Sequence, residues 1–216
     1  MKELKYIIVV AILLLTGCTE KPHQAIVEEY NTQITIIPFE TQRELPPDVE
    51  VGAVKAYKGK DKIEQNMLSQ YSTYVSALFQ GDIDNALHYM YKDATKYFRK
   101  YYIGKSDEEI EREFYKGMSD EMLNILRKFR ERGLELTPVV SRILRKVTIG
   151  QEIVLVFETY SNFGNENLQI HMAPEQDVAV SFNEGKNWTF NVINEDTPSI
   201  LRIHFSDDTV DKIMGY

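Results

Sequence analysis

The sequence predicts an α+β domain in which helices come first and an antiparallel sheet follows. Apolar residues recur at helical spacing between Asp61 and Gly133. After Pro138 the pattern changes to runs rich in β-branched and aromatic residues. Only short turn clusters separate these runs, which implies hairpins and hence antiparallel pairing.

At the N-terminus, Lys2 and Lys5 precede an unbroken apolar run from Ile7 to Leu15. The run suits a secretory signal and is too short to cross a bilayer. Leu15-Thr16-Gly17-Cys18 follows directly and resembles the bacterial lipobox. That resemblance implies acylation of the Cys18 thiol, cleavage just before it and a mature chain that begins there. Residues 1–17 are therefore expected to be a lipoprotein signal peptide. Thr19 stands where an Asp would resemble an inner-membrane retention signal, so the outer membrane is the expected destination. Cys18 is the sole cysteine, which excludes an internal disulfide, a CxxC site and a thiolate zinc site.

Residues 18–60 carry Pro22, Pro38, Pro46 and Pro47, which break any helix. They read as a lipid-anchored tether, with short strands possible at Ile34–Phe39 and Val49–Tyr57. As a flexible coil this segment would reach roughly 35 Å.

Residues 61–216 read as the folded domain. Asp61 with Glu64 forms a capping pair for a first helix, whose stripe includes Met67, Tyr71, Tyr74, Val75 and Leu78, and which Gly81 ends. A second helix is predicted from Asp82 to near Gly104, with Leu87, Met90, Tyr91, Ala94, Tyr97 and Phe98 on one broad stripe. A third opens on Ser106-Asp107-Glu108-Glu109, at capping-box spacing, and ends at Gly133. Its acids lie in the first turn and Arg127, Lys128, Arg130 and Arg132 in the last, as the helix dipole favours. That explains the basic cluster without a binding role.

Six strands follow: Val139–Thr148, Glu152–Tyr160, Leu168–Ala173, Val178–Phe182, Trp188–Ile193 and Leu201–Phe205. Ile153–Phe157 is apolar throughout, so this strand is expected to be covered on both faces. Ser206 caps a last short helix, Thr209–Met214. Trp188 is expected to pack against the helices.

Three helices followed by a meander is the order of the nuclear-transport-factor-2-like family, also called cystatin-like or SnoaL-like. Two stretches carry the resemblance. Phe79-Gln80-Gly81-Asp82-Ile83 resembles the family's helix, Gly-Asp, new-helix junction. Asn183-Glu184-Gly185-Lys186-Asn187-Trp188 is similar to its acidic, Gly-Lys-x-Trp hairpin. The resemblance covers residues 61–205 and implies a curved sheet wrapped around helices into a cone, often with a pocket at the open end. Members include isomerases, dehydratases, scaffolds, immunity proteins and exported lipoproteins, so fold does not fix function. Family enzymes use an Asp, His or Tyr in the cone, but no enzyme motif aligns and no catalytic residue is carried over.

The net charge of −8 argues against nucleic-acid binding and against electrostatic adsorption to anionic lipid. Attachment to a membrane would rest on acyl chains. HExxH, GxSxG and a phosphate-binding Gly loop are absent, and no metal or cofactor is expected. Strand alternation puts His171 and His204 opposite their apolar neighbours, on solvent or at a rim. His88 can pair with Asp84 on a helix. Tyr89, Tyr91, Tyr97, Tyr101 and Tyr102 can line a pocket or simply form core. Glu158 is the sharpest candidate for chemistry: it shares a face with Val154, Val156 and Tyr160 and would be a general base if that face lined the cone. The reading that results is a lipid-anchored, non-enzymatic envelope module for a small ligand or protein partner. The alternative is an isomerase or dehydratase using Glu158, and a third option is an accessory subunit of an envelope complex.

Overall fold

The computed structural model of the chain describes residues 23–39 and 49–216. The expected signal segment, the lipobox and Cys18 lie outside the described residues. The architecture is mixed α+β, with a curved antiparallel sheet packed against helices.

Asp61 starts the first helix as its position in the sequence suggests. Its side chain accepts hydrogen bonds from the Ile63 and Glu64 amides at 2.8 and 2.9 Å. Helix α1 (Lys62–Gln80) ends at Gly81, whose φ of 71° is the left-handed conformation that favours glycine. The predicted second helix is broken in two, α2 (Ile83–Leu87) and α3 (Lys92–Phe98), the latter continued by a 3₁₀ turn at Arg99–Tyr101. The cause is the sheet. The Phe190 amide donates to the Tyr89 carbonyl at 2.7 Å, and Met90 bridges to Phe190, so this backbone serves a strand edge instead of a helical ladder. Helix α4 (Asp107–Arg130) has the expected capping box between Ser106 and Glu109.

The long strands β5 (Glu135–Ile149) and β6 (Glu152–Asn165) form the central hairpin. On its other edge β6 pairs first with β8 (Glu175–Ser181) and then with β7 (Leu168–Met172), while β9 (Thr189–Val192) pairs with β8. Register shifts in β5 at Val140/Arg142 and Ile143/Arg145 bend the hairpin and give the sheet its curvature. Phe157 and Thr159 face α1. Val154, Val156 and Glu158 face the opposite way, where the C-terminal helix α6 (Asp207–Met214) packs on β5 and β6. Ile153–Phe157 is buried on both faces, as its unbroken apolar run implies.

The predicted strand Leu201–Phe205 is the end of helix α5 (Thr197–Leu201) and a turn. Pro198 sits in the first turn, the Thr197 hydroxyl accepts from the Asn194 amide at 2.9 Å, and the Phe205 amide donates to the Leu201 carbonyl. Leu201 and Phe205 both point inward, which i, i+4 spacing on a helical turn permits and which also mimics strand alternation.

The folded unit begins earlier than residue 61. Strand β1 (Ile26–Glu29) pairs with β5, β3 (Val49–Val51) pairs with β7, and β2 (Ile36–Ile37) forms a separate pair with β4 (Ala53–Val54). Much of the segment expected as tether therefore belongs to the domain. Two contacts fix it there. The Asn162 side chain accepts from the Val54 amide at 3.0 Å and donates to the Val54 carbonyl at 2.7 Å, as a neighbouring peptide would. Glu64, fully buried, accepts from the Tyr30 and Tyr57 hydroxyls at 2.8 Å each and from the Lys60 amide at 2.6 Å.

Trp188 is buried, as expected. Its indole donates to the Gly185 carbonyl and its amide to Gln70 of α1, both at 3.0 Å. Nearby, Tyr71 meets Phe157 and Phe190 edge-on with ring centroids 5.0 and 5.2 Å apart.

Candidate functional site

Tyr71, Val75 and Phe79 recur every four residues on α1 and form one stripe facing the sheet. That stripe leaves space toward the far end of the β5–β6 hairpin. A cavity of about 420 Å³ lies there between α1, α4 and the sheet. Met122, Ile125 and Phe129 of α4 supply one wall, and Leu136, Pro138 and Phe163 supply another. A second cavity of about 410 Å³ adjoins it and shares Tyr71, Val75, Phe79, Leu136 and Pro138. The polar residues that line the first cavity are few: Tyr71, Thr159, Tyr160, Ser161 and Glu175. Among the described residues, no Lys, Arg or His lines it. An apolar enclosure with a few placed polar groups is the usual form of a small-molecule site.

Behind the wall stands Asp177 of β8, paired in register with Phe157 and therefore on the same inward face. Only 5% of it is exposed. Its Oδ2 accepts from the Tyr71 hydroxyl at 2.7 Å and lies 3.3 Å from the Thr159 hydroxyl. Burial pushes its pKa from 3.8 up to about 7, and the charge of Glu175 adds to the rise, while the two hydroxyl bonds hold it down. Burial also drives the Tyr71 phenol well above its ordinary value, with the Asp177 charge second. Tyr71 therefore stays a hydrogen-bond donor, and Asp177 can give or take a proton near neutrality. Strand β8 begins at Glu175, three residues before the predicted start at Val178, which is why Asp177 escaped notice in the sequence. The signal was present: Asp177 and Ala179 alternate with Val178 and Val180.

Glu158 lies elsewhere. It is on the outer face, paired through Oε2 with Arg142 at 3.2 Å and through Oε1 with the Ser141 hydroxyl at 3.3 Å. It does not reach the cavity, because the face it shares with Val154 and Val156 is turned away from α1. A buried pair of this kind holds structure, and losing one partner is costly.

The histidines are also placed. His171 is buried, not solvent-facing: its ring meets Tyr160 at 5.4 Å and its Nε2 lies 3.6 Å from Glu50. Strand β4 packs on the face that alternation left open, where Asn162, the register partner of His171, bonds Val54. His204 sits in the turn after α5 and bonds Glu152 at 2.7 Å. His88 caps α2, while Asp84 pairs with Arg112 of α4 at 2.8 Å. Among Tyr89, Tyr91, Tyr97, Tyr101 and Tyr102, none lines the cavity. Tyr91 is core, and Tyr101 is largely exposed. Among the described residues, no group of three or more His, Cys, Asp or Glu side chains is arranged to hold a metal ion. The chain matches no protein-family model, no curated protein and no solved structure.

Proposed function

We propose that this chain is an envelope lipoprotein, anchored through acylated Cys18 to the outer membrane, whose domain is a nuclear-transport-factor-2-like cone that binds a small ligand without turning it over. The observation that carries the reading is the apolar cavity of about 420 Å³ whose lining includes Tyr71 and Thr159, both hydrogen-bonded to Asp177 behind the wall. Its lining suits a molecule with an apolar body and a neutral or cationic polar head, because Glu175 is the one ionisable acid or base among the described residues that line it, tyrosines aside. Apolar burial supplies affinity at about 25 cal/mol per Å², and the few polar groups fix orientation.

A second reading rests on Asp177. A carboxyl that titrates near neutrality beside a cavity, hydrogen-bonded to a phenol, has the equipment of an acid–base enzyme of the isomerase or dehydratase kind. It takes over the role that the sequence suggested for Glu158.

The full chain, expressed with its signal and purified from membranes in mild detergent, separates these readings. Mass spectrometry is expected to find acyl chains on Cys18 and an unmodified small molecule released on denaturation. Val75→Trp, which fills the cavity, is expected to abolish its capture. Conversion of a metabolite that disappears in a folded Asp177→Asn variant would establish the enzyme instead.

A further inference from the structure

We infer that the end of the domain formed by the β5–β6 turn rests on the bilayer, with Ile26, Phe182 and Ile203 as the side chains that enter its interface. The inference rests on the proposed anchoring through Cys18 and adds to it an orientation and a contact surface. The described chain begins at His23, and His23 lies against this turn: a Cβ built on Gly150 would come within 3.0 Å of its ring. From Cys18 to His23 the chain advances five residues, which span about 18 Å at full extension. The leash is thus far shorter than a free tether of residues 18–60. It is also shorter than the hairpin it would have to pass, since the fifteen residues of β5 extend up to about 50 Å. The far end of the domain, with the cavity, cannot be the part nearest the anchor unless the molecule lies on its side.

Three large apolar side chains at the near end favour the upright placement. Ile26 is 63% exposed, Phe182 42% and Ile203 41%. Each is tied to the turn. Ile26 pairs with Thr148, just before the turn. Phe182 follows Ser181, which pairs with Ile153, just after it. Ile203 precedes His204, whose ring bonds Glu152 at 2.7 Å and meets the Phe182 ring at 4.8 Å. Separate apolar side chains exposed on a surface are ordinary, but three gathered where the chain departs for its anchor have a membrane within reach. The charges around them are paired locally: Glu152 with His204, Glu184 with Lys186 at 3.4 Å, and Arg202 with Asp207 at 2.8 Å. Among these described residues, each basic group named has an acidic partner. The contact is apolar, and its occupant is the lipid interface itself.

Acylated full chain in phosphatidylcholine vesicles provides the test. Acylation blocks the Cys18 thiol, so Ile26→Cys, Phe182→Cys, Ile203→Cys and, at the opposite end, Glu166→Cys can each carry one environment-sensitive fluorophore. Lipid-borne quenchers are expected to quench the first three labels several-fold more than the label at 166, equally with and without phosphatidylglycerol. The unlabelled protein is expected to show slowed amide exchange at residues 149–152 in vesicles relative to detergent, which covers the case of a labelled variant that folds poorly. Equal quenching at both ends, or unchanged exchange at the turn with acyl chains confirmed by mass spectrometry, would overturn the orientation and leave the anchor standing. Absence of acyl chains from Cys18 would overturn both.

Discussion

At the scale of single residues, the same carboxylate chemistry takes opposite roles on the two faces of one sheet. Glu158 and Asp177 are both buried. Glu158 faces a guanidinium, whereas Asp177 faces two hydroxyls and sits near a second carboxylate. Asp177 therefore links stability to pH. Its folded pKa of about 7 lies above the unfolded value near 3.8, so the unfolded chain loses this proton first as pH rises. The stability it contributes is complete below about pH 4 and falls away as pH climbs toward 7. Asp177→Asn retains an oxygen for Tyr71 and removes the titration. Urea unfolding at intervals from pH 4 to 8 is expected to show a shallower decline in the variant and greater stability at pH 8. Parallel curves for the two proteins would mean that Asp177 ionises freely. The alternation around Asp177 was legible, but the roles were not: a carboxylate's role depends on which face its strand turns to α1, and two register shifts in β5 lie beyond any sequence rule.

At the scale of elements, strong local signals were legible and contested ones were not. Helices α1 and α4 have caps, amphipathic stripes and clear stops, and both lie where the sequence puts them. The broken second helix and the turn after α5 are places where two periodicities fit the same letters. There longer-range pairing decides in the first case, through the bridge from Met90 to Phe190, and the loop bond from the Asn194 amide to the Thr197 hydroxyl decides in the second. The Gly185 turn shows how a short loop can anchor a helix. Gly185 has a φ of 80°, and a Cβ there would come within 2.8 Å of Ile63. That close approach seats Trp188 beneath α1. Trp188→Ala empties a fully enclosed site and is expected to cost about 3–5 kcal/mol, read by chemical denaturation. An unchanged midpoint would contradict the packing of this loop on α1.

At the scale of the whole molecule, the domain is a sheet that needs residues from both ends of the chain. A chain starting at Asp61 has the three helices and the meander that the sequence announces most loudly. It lacks β1 to β4, leaves Asn162 facing no peptide, and strips Tyr30 and Tyr57 from the buried Glu64 carboxylate. Hydrogen bonds to a buried charge contribute about 1.5–3 kcal/mol each, so the shortened chain is expected to be less stable than residues 23–216 by at least about 3 kcal/mol. Calorimetry should find one transition in the longer chain and a much lower or absent one in the shorter. Equal stability would restore residues 18–60 to the role of a tether. The stretches Ile34–Phe39 and Val49–Tyr57, where the sequence allows short strands, contain β2, β3 and β4, but strands of two to four residues leave too little periodic trace to tell domain from tether, and β1 is a strand the sequence reading lacks. One guanidinium marks the closure. Arg145 on β5 binds the Glu29 carboxylate of β1 and, at 2.7 Å, the Ile213 carbonyl of α6. This arrangement governs timing. A chain synthesised from its N-terminus releases Ile26 long before Thr148 exists to pair with it, and the Arg145 clasp waits for Ile213, 68 residues further on. Contacts so distant in sequence form slowly. The first strand thus waits unpaired until the strand that receives it has been made.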